Sequence, residues 1–223
     1  MSQNQKLEAT LSTQRLEAFS DSVFAIVITL LFLDLKTPEM DIQSDWRELL
    51  DALYKLSPKF ISIIVSFAFV AIFWVAHHQF FRTLQKTTRG LLWLNLVFLF
   101  LVCFVPFPAA IMTEYPENKT AVAFFGATIL LTSGMLCAVR WYTWIKHSEI
   151  SAATSESEVK QALNRSLLMV ALYAVALAIS FFFPVAAIVL YLLILLILLF
   201  PVKVEIEEET GDDEENPTTE VIL

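Results

Sequence analysis

Four apolar runs in this sequence, residues 16–35, 58–81, 91–112 and 121–145, have the length of a membrane-spanning helix, and a fifth, 163–202, is too long for one. About 20 mostly apolar residues cross the roughly 30 Å hydrocarbon core at 1.5 Å per residue. Within the fifth run, Pro184 of FFFPVAAIV lacks an amide hydrogen and clashes with the preceding turn. It therefore starts a new helix and divides the run into 163–183 and 184–202, with one long kinked helix as the alternative. The expected fold class is an all-α membrane protein with six transmembrane helices per subunit.

Composition agrees. The chain is 57% hydrophobic with a mean hydropathy of +0.65, against roughly 45–50% apolar residues in an average soluble domain. The net charge of -8 is concentrated in EIEEETGDDEENPTTEVIL, residues 205–223. That stretch has too little apolar surface to offset its ordering entropy and is expected to be a disordered tail. The organisation expected is an N-terminal segment 1–14, a membrane domain 15–202 and an acidic tail 203–223.

Basic residues orient the spans. If the spans alternate, one side receives Lys6, Arg15, Arg82, Lys86, Arg89, Lys146, Lys160, Arg165 and Lys203, and the other Lys36, Arg47, Lys55, Lys59 and Lys119. The first side is expected to be cytoplasmic, with both termini there, in the cell membrane as a multi-pass protein. The short loop RTLQKTTRG, residues 82–90, holds three basic residues and no acid. Arg15–Leu35 has spanning length and no small-residue cleavage site, so it reads as a retained helix rather than a cleavable signal peptide. Between Ser44 and Leu56, SDWRELLDALYKL spaces Trp46, Leu49, Leu50, Leu53 and Tyr54 helically, which suits a helix lying at the headgroups. An acidic funnel drawing cations to a pore mouth is the alternative reading of the same segment.

Several chemistries are absent. The sequence has no G-x-x-x-x-G-K-[ST] loop, no H-E-x-x-H pair and no TVGYG carbonyl filter, and it has only four glycines. Nothing marks an enzyme or a nucleic-acid partner. Cys103 and Cys137 lie within spans and read as small apolar side chains rather than a disulfide. Asn118-Lys119-Thr120 fits a glycosylation sequon, a triplet common by chance. His77 and His78 are adjacent, so their side chains diverge by about 100° on a helix, which disfavours a joint metal site. A buried hydrogen-bonding role suits them better.

The first span has two unlike faces. Taking Ile26 as the reference direction at 100° per residue, Arg15, Phe19, Ser22, Thr29, Leu30 and Leu33 fall within about 60° of it, and Ser20 and Asp21 lie more than about 110° away. An unpaired Asp at the bilayer centre costs roughly 2.5–3.5 kcal/mol on insertion scales, so Asp21 needs partners. His77, His78 and Asn95 are the candidates at similar depth. Alternatively Asp21 snorkels to the headgroups with no specific contact. For the apolar ladder itself, ordinary helix packing explains Ile and Leu at this spacing equally well.

RLEAFSD, residues 15–21, resembles the R-x-x-x-F-S-D signature at the head of the first helix in the transmembrane protein 175 family of potassium channels, and the six-span layout matches as well. That resemblance implies a single-repeat, prokaryotic-type chain assembling as a homotetramer, with the pore on the tetramer axis lined by the first helix. It places an apolar constriction at Ile26, Leu30 and Leu33, with Thr29 flanking the pore and Ser22 on the same face. The signature residues Arg15, Phe19, Ser20 and Asp21, with His77, His78 and Asn95 as the partners suggested by depth, make up the expected interhelix network. No cofactor and no fixed metal is implied, only potassium in transit, and the partners are further copies of the chain and membrane lipid. Four facing Ile26 side chains would close the pore by dewetting, with modest selectivity set by dehydration. A secondary transporter and a proton-permeable pathway of the same architecture are the alternatives, and a membrane scaffold is a third.

Overall fold

The computed structural model describes residues 3–38, 45–146 and 155–199. Among them the secondary structure is entirely helical. Helix α1, Gln3–Leu30, runs on into a 3-10 turn, Leu31–Asp34. The first span is thus continuous with most of the segment 1–14 that the sequence set apart. Helix α2, Trp46–Lys55, is capped by Asp45, whose carboxylate accepts from the Trp46 amide at 2.7 Å, and it buries no residue. An unburied amphipathic helix is what a headgroup-level segment presents. Helix α3, Ser57–Phe81, follows, with Pro58 in its first turn where a missing amide hydrogen costs nothing.

The third span contains a break that the sequence reading of 91–112 as one helix did not anticipate. Helix α4, Arg89–Phe104, stops at Val105, and α5, Pro106–Glu114, restarts at once. Pro106 and Pro108 each remove a backbone donor, and the chain tightens locally, the Val105 amide reaching the Val102 carbonyl at 3.2 Å. Helix α6 is Lys119–Ile145, and Asn118 caps it, its side-chain oxygen accepting from the Thr120 amide at 2.9 Å and the Ala121 amide at 3.3 Å. Helix α7, Glu156–Ser180, opens with a capping box between Ser155 and Glu158.

The turn at Pro184 is formed as its chemistry dictates. The Phe182 and Phe183 amides both bond to the Ile179 carbonyl, at 3.0 and 2.8 Å, closing α7. Helix α8, Pro184–Leu199, then starts at the proline, so the fifth and sixth spans are separate helices. The sixteen described residues of α8 cover about 24 Å. The expected end of that span at 202 and the acidic tail 203–223 lie outside the described residues.

Helix α6 is the most buried of the spans and packs chiefly on α7 and α4. Between lipid-solvated helices the hydrophobic effect is weak, and association rests on close packing and interhelical hydrogen bonds. Both are present. Phe69, Phe125, Tyr173 and Tyr191 interlock, with Phe125 edge-on to Phe69 at 5.3 Å and to Tyr191 at 5.5 Å. Gly126 permits this, since a Cβ there would overlap the Tyr191 hydroxyl. Helix α1 lies at the edge of the bundle, against α3 and α4.

Candidate functional site

Helix α1 buries one face. Leu16, Ser20, Phe24, Val27 and Leu31, spaced by three or four residues, are each under 10% exposed against α3 and α4. The opposite face is uncovered. Phe19, Ile26, Leu30 and Leu33 are 51%, 56%, 53% and 75% exposed, and Arg15, Ser22 and Thr29 are exposed beside them. Ile28 points the other way and packs on the core. The hydroxyls on the open face are satisfied by their own helix. Ser22 donates to the Ala18 carbonyl at 2.8 Å, and Thr29 to the Ala25 and Ile26 carbonyls at 2.9 Å each. A hydroxyl whose proton is so engaged still offers oxygen lone pairs outward.

Beside this face, between α1, α3 and the α4–α5 break, lies a cavity of about 500 Å3 lined by Ile26, Leu30, Ser62, Ser66, Pro106 and Phe107. The Ser66 hydroxyl is buried there without a hydrogen-bond partner.

On the buried face a polar chain crosses three helices. Ser20 donates to the Leu16 carbonyl at 2.9 Å and accepts from the Asn95 amide nitrogen of α4 at 2.9 Å. The Asn95 carbonyl oxygen then meets His77 Nε2 of α3 at 2.8 Å. Because that oxygen can only accept, the proton belongs on Nε2. Phe81 stacks on the His77 ring at 4.2 Å and Phe98 lies parallel to it at 5.6 Å.

Asp21 is not in that chain. The sequence offered His77, His78 and Asn95 as its partners; instead its Oδ1 accepts from the Trp74 indole N–H of α3 at 2.9 Å. The cause is the turn of about 100° between Ser20 and Asp21, which sends one side chain between α3 and α4 and the other along the rim of α3. Trp74 stacks on His78 at 5.6 Å, and His78 Nδ1 lies 3.4 Å from Glu17 Oε1. Arg15 and Phe19 join neither set, since both project from the open face.

Three side chains escaped the sequence reading. Trp74 reads in the sequence as one apolar ring among many, and Glu17 occupies a variable position of the signature, although Glu17 and Asp21 share a face at i, i+4. Arg140 of α6 is the third. It sits within the last two turns of an apolar span and donates to the Ala76 carbonyl of α3 at 3.0 Å, to the Ala162 carbonyl of α7 at 3.4 Å, and to the Ser166 hydroxyl. An ionisable residue inside a span was the signal that could have found it.

A family profile described as "Endosomal/lysosomal potassium channel TMEM175" matches residues 15–106. A protein of Chryseobacterium sp. (strain P1-3), named as a potassium channel, is 34% identical over 177 residues, 78% of this chain and 85% of its own length. The human protein named as the endosomal/lysosomal proton channel TMEM175 is 32% identical over 149 residues, 63% of this chain but 30% of its own length. The crystal structure of a lysosomal potassium-selective channel TMEM175 homologue from Chamaesiphon minutus superposes with a TM-score of 0.71 at 32% identity, covering 84% of this chain and 96% of that one.

Proposed function

The chain belongs to the TMEM175 family of ion channels, and from that premise we propose that it is a potassium-permeable cation channel in which α1 of each of four copies lines a pore on the tetramer axis. The observation that carries this reading is the uncovered face of α1. Val27 and Leu31 are 7% exposed while their neighbours Ile26 and Leu30 are each more than half exposed, so one apolar helix is packed on one side only. A ring of Ile26 from four copies would exclude water when narrow and conduct when widened. The cavity beside Ile26 and Leu30 supplies room for that widening. Thr29 oxygens, whose protons are held by the helix, face the same side and would support a partly dehydrated cation. Potassium passes passively and no catalysis is involved. Both termini lie on the cytoplasmic side, where the basic residues gather.

Reconstitution in planar bilayers tests the proposal. Unitary current steps in potassium, with native mass spectrometry of the solubilised protein giving a fourfold mass, are expected. Slow saturable flux would indicate a carrier, and monomers alone would remove the shared axis. Because the human relative is named as a proton channel, a pH-sensitive dye in the same vesicles decides whether protons pass as well.

A further inference from the structure

At the rim of the bundle, among the described residues, one cluster of side chains has the composition of a metal site. One ligand atom each from Glu17, Asp21 and His78 lie within 4.8 Å of one another. We infer that these three residues bind a divalent transition-metal ion of zinc's ligand chemistry and thereby tie the signature end of α1 to α3.

Three features support the assignment independently. First, Glu17 Oε1 and His78 Nδ1 are 3.4 Å apart, yet Nδ1 is buried and makes no hydrogen bond. Two ligands of a tetrahedral ion with bonds of about 2.0–2.2 Å stand about 3.4 Å from each other. Second, neither carboxylate forms an ion pair with a lysine or arginine among the described residues. Like charges at i, i+4 on a helix repel, and a divalent cation between them removes the repulsion. Third, the ligands are already oriented from behind. Trp74 donates to Asp21 Oδ1 at 2.9 Å, leaving the other carboxylate oxygen for the ion, and its ring lies against that of His78. Such outer contacts fix ligand orientation at metal centres.

The donor set selects the ion. One imidazole and two carboxylates suit zinc or manganese, with water in the remaining positions, whereas magnesium favours oxygen ligands and sheds its water reluctantly. The divergence of His77 from His78 is no obstacle, because His78 pairs with acids of another helix. The consequence for conduction rests on the pore reading above: α1 carries the apolar ladder, so an ion bonding α1 to α3 opposes its displacement and lowers the current.

The test uses the full chain in detergent, stripped with chelator and titrated with zinc chloride by calorimetry and thermal melting. Saturable binding and a zinc-dependent rise in Tm are expected. Glu17→Gln and His78→Ala should each weaken the affinity by roughly tenfold or more and abolish that rise, and excess magnesium should not displace zinc. Among the described residues Glu17 makes no hydrogen bond that its amide would lose, so the first variant keeps the test informative if His78→Ala fails to fold. Unchanged zinc affinity in Glu17→Gln, or no rise in Tm in the parent, overturns the site. In bilayers, zinc should reduce the parent current and spare that of Glu17→Gln; equal inhibition of both would overturn the tie between α1 and α3. If the parent carries no current at all, the channel reading fails, and the calorimetry still decides the metal site.

Discussion

The Asn95 amide nitrogen donates to the Ser20 hydroxyl at 2.9 Å, joining α4 to α1 across 75 residues of sequence, with both side chains fully buried. Because the other end of Asn95 holds His77, one side chain satisfies groups on two helices at once. Asn95→Ala should therefore strand both, at about 1–3 kcal/mol for each buried group left unpaired. Asn95→Asp should be little better, since a carboxylate cannot donate to Ser20. The expected outcome is a lower Tm and a smaller yield of assembled protein in size-exclusion chromatography. A normal Tm for Asn95→Ala would mean that the chain does not hold α1.

Asp21 and Trp74 form a pair that can be cut from either side. Trp74→Phe keeps an aromatic ring against His78 but removes the indole donor, and Asp21→Asn keeps an acceptor but removes the charge. Interhelical hydrogen bonds in membranes contribute about 0.6 kcal/mol on average and up to about 1.7. The coupling in a double-mutant cycle with Asp21→Ala and Trp74→Phe should fall in that range. Asp21→Asn should assemble better than Asp21→Ala. If Asp21→Ala assembled normally and changed only ion preference, Asp21 would belong to the conduction path.

Along the open face of α1, the effect of a polar substitution should decline outward. Ile26→Asn should wet the proposed constriction, raise leak conductance and weaken discrimination between potassium and sodium. Leu30→Ser and Leu33→Ser should act in the same direction less strongly. Ile28→Ser is the control, because Ile28 packs on the core rather than facing the opening; it should lower stability without raising leak. Currents of the four variants in planar bilayers give the ranking. Equal leak from Ile28→Ser and Ile26→Asn would remove the hydrophobic gate from α1.

Arg140 donates to two backbone carbonyls of other helices, those of Ala76 and Ala162, which among the described residues receive no other donor from outside their own helices. Arg140→Met preserves volume and chain length while freeing the Ala76 and Ala162 carbonyls from their extra donor. Arg140→Lys retains the charge but cannot fork between α3 and α7. Both variants should lower Tm, by an amount corresponding to about 1–3 kcal/mol, with Lys intermediate. A thermal melt monitored by intrinsic fluorescence distinguishes them. Equal stability of Arg140→Met and the parent would leave this half-buried cation without a structural role.

What the sequence by itself determined is what depends on a residue and its near neighbours along one helix. Apolar length against bilayer thickness set the spans, and the missing amide of Pro184 separated α7 from α8. The 100° turn per residue separated Ile26, Leu30 and Leu33 from Ser20 and Asp21, which the structure leaves on open and covered sides of α1. The break at Pro106 obeys the same rule as that at Pro184, but the run 91–112 has the length of one span and so masks it. The partners were decided only by the tertiary structure. Periodicity fixes the direction of a side chain about its own axis, but what stands opposite depends on the depth and rotation of another helix, and those are set by packing among many residues at once. So Ser20 meets Asn95 and His77, Asp21 meets Trp74 beside Glu17 and His78, and Arg140 reaches the carbonyls of α3 and α7.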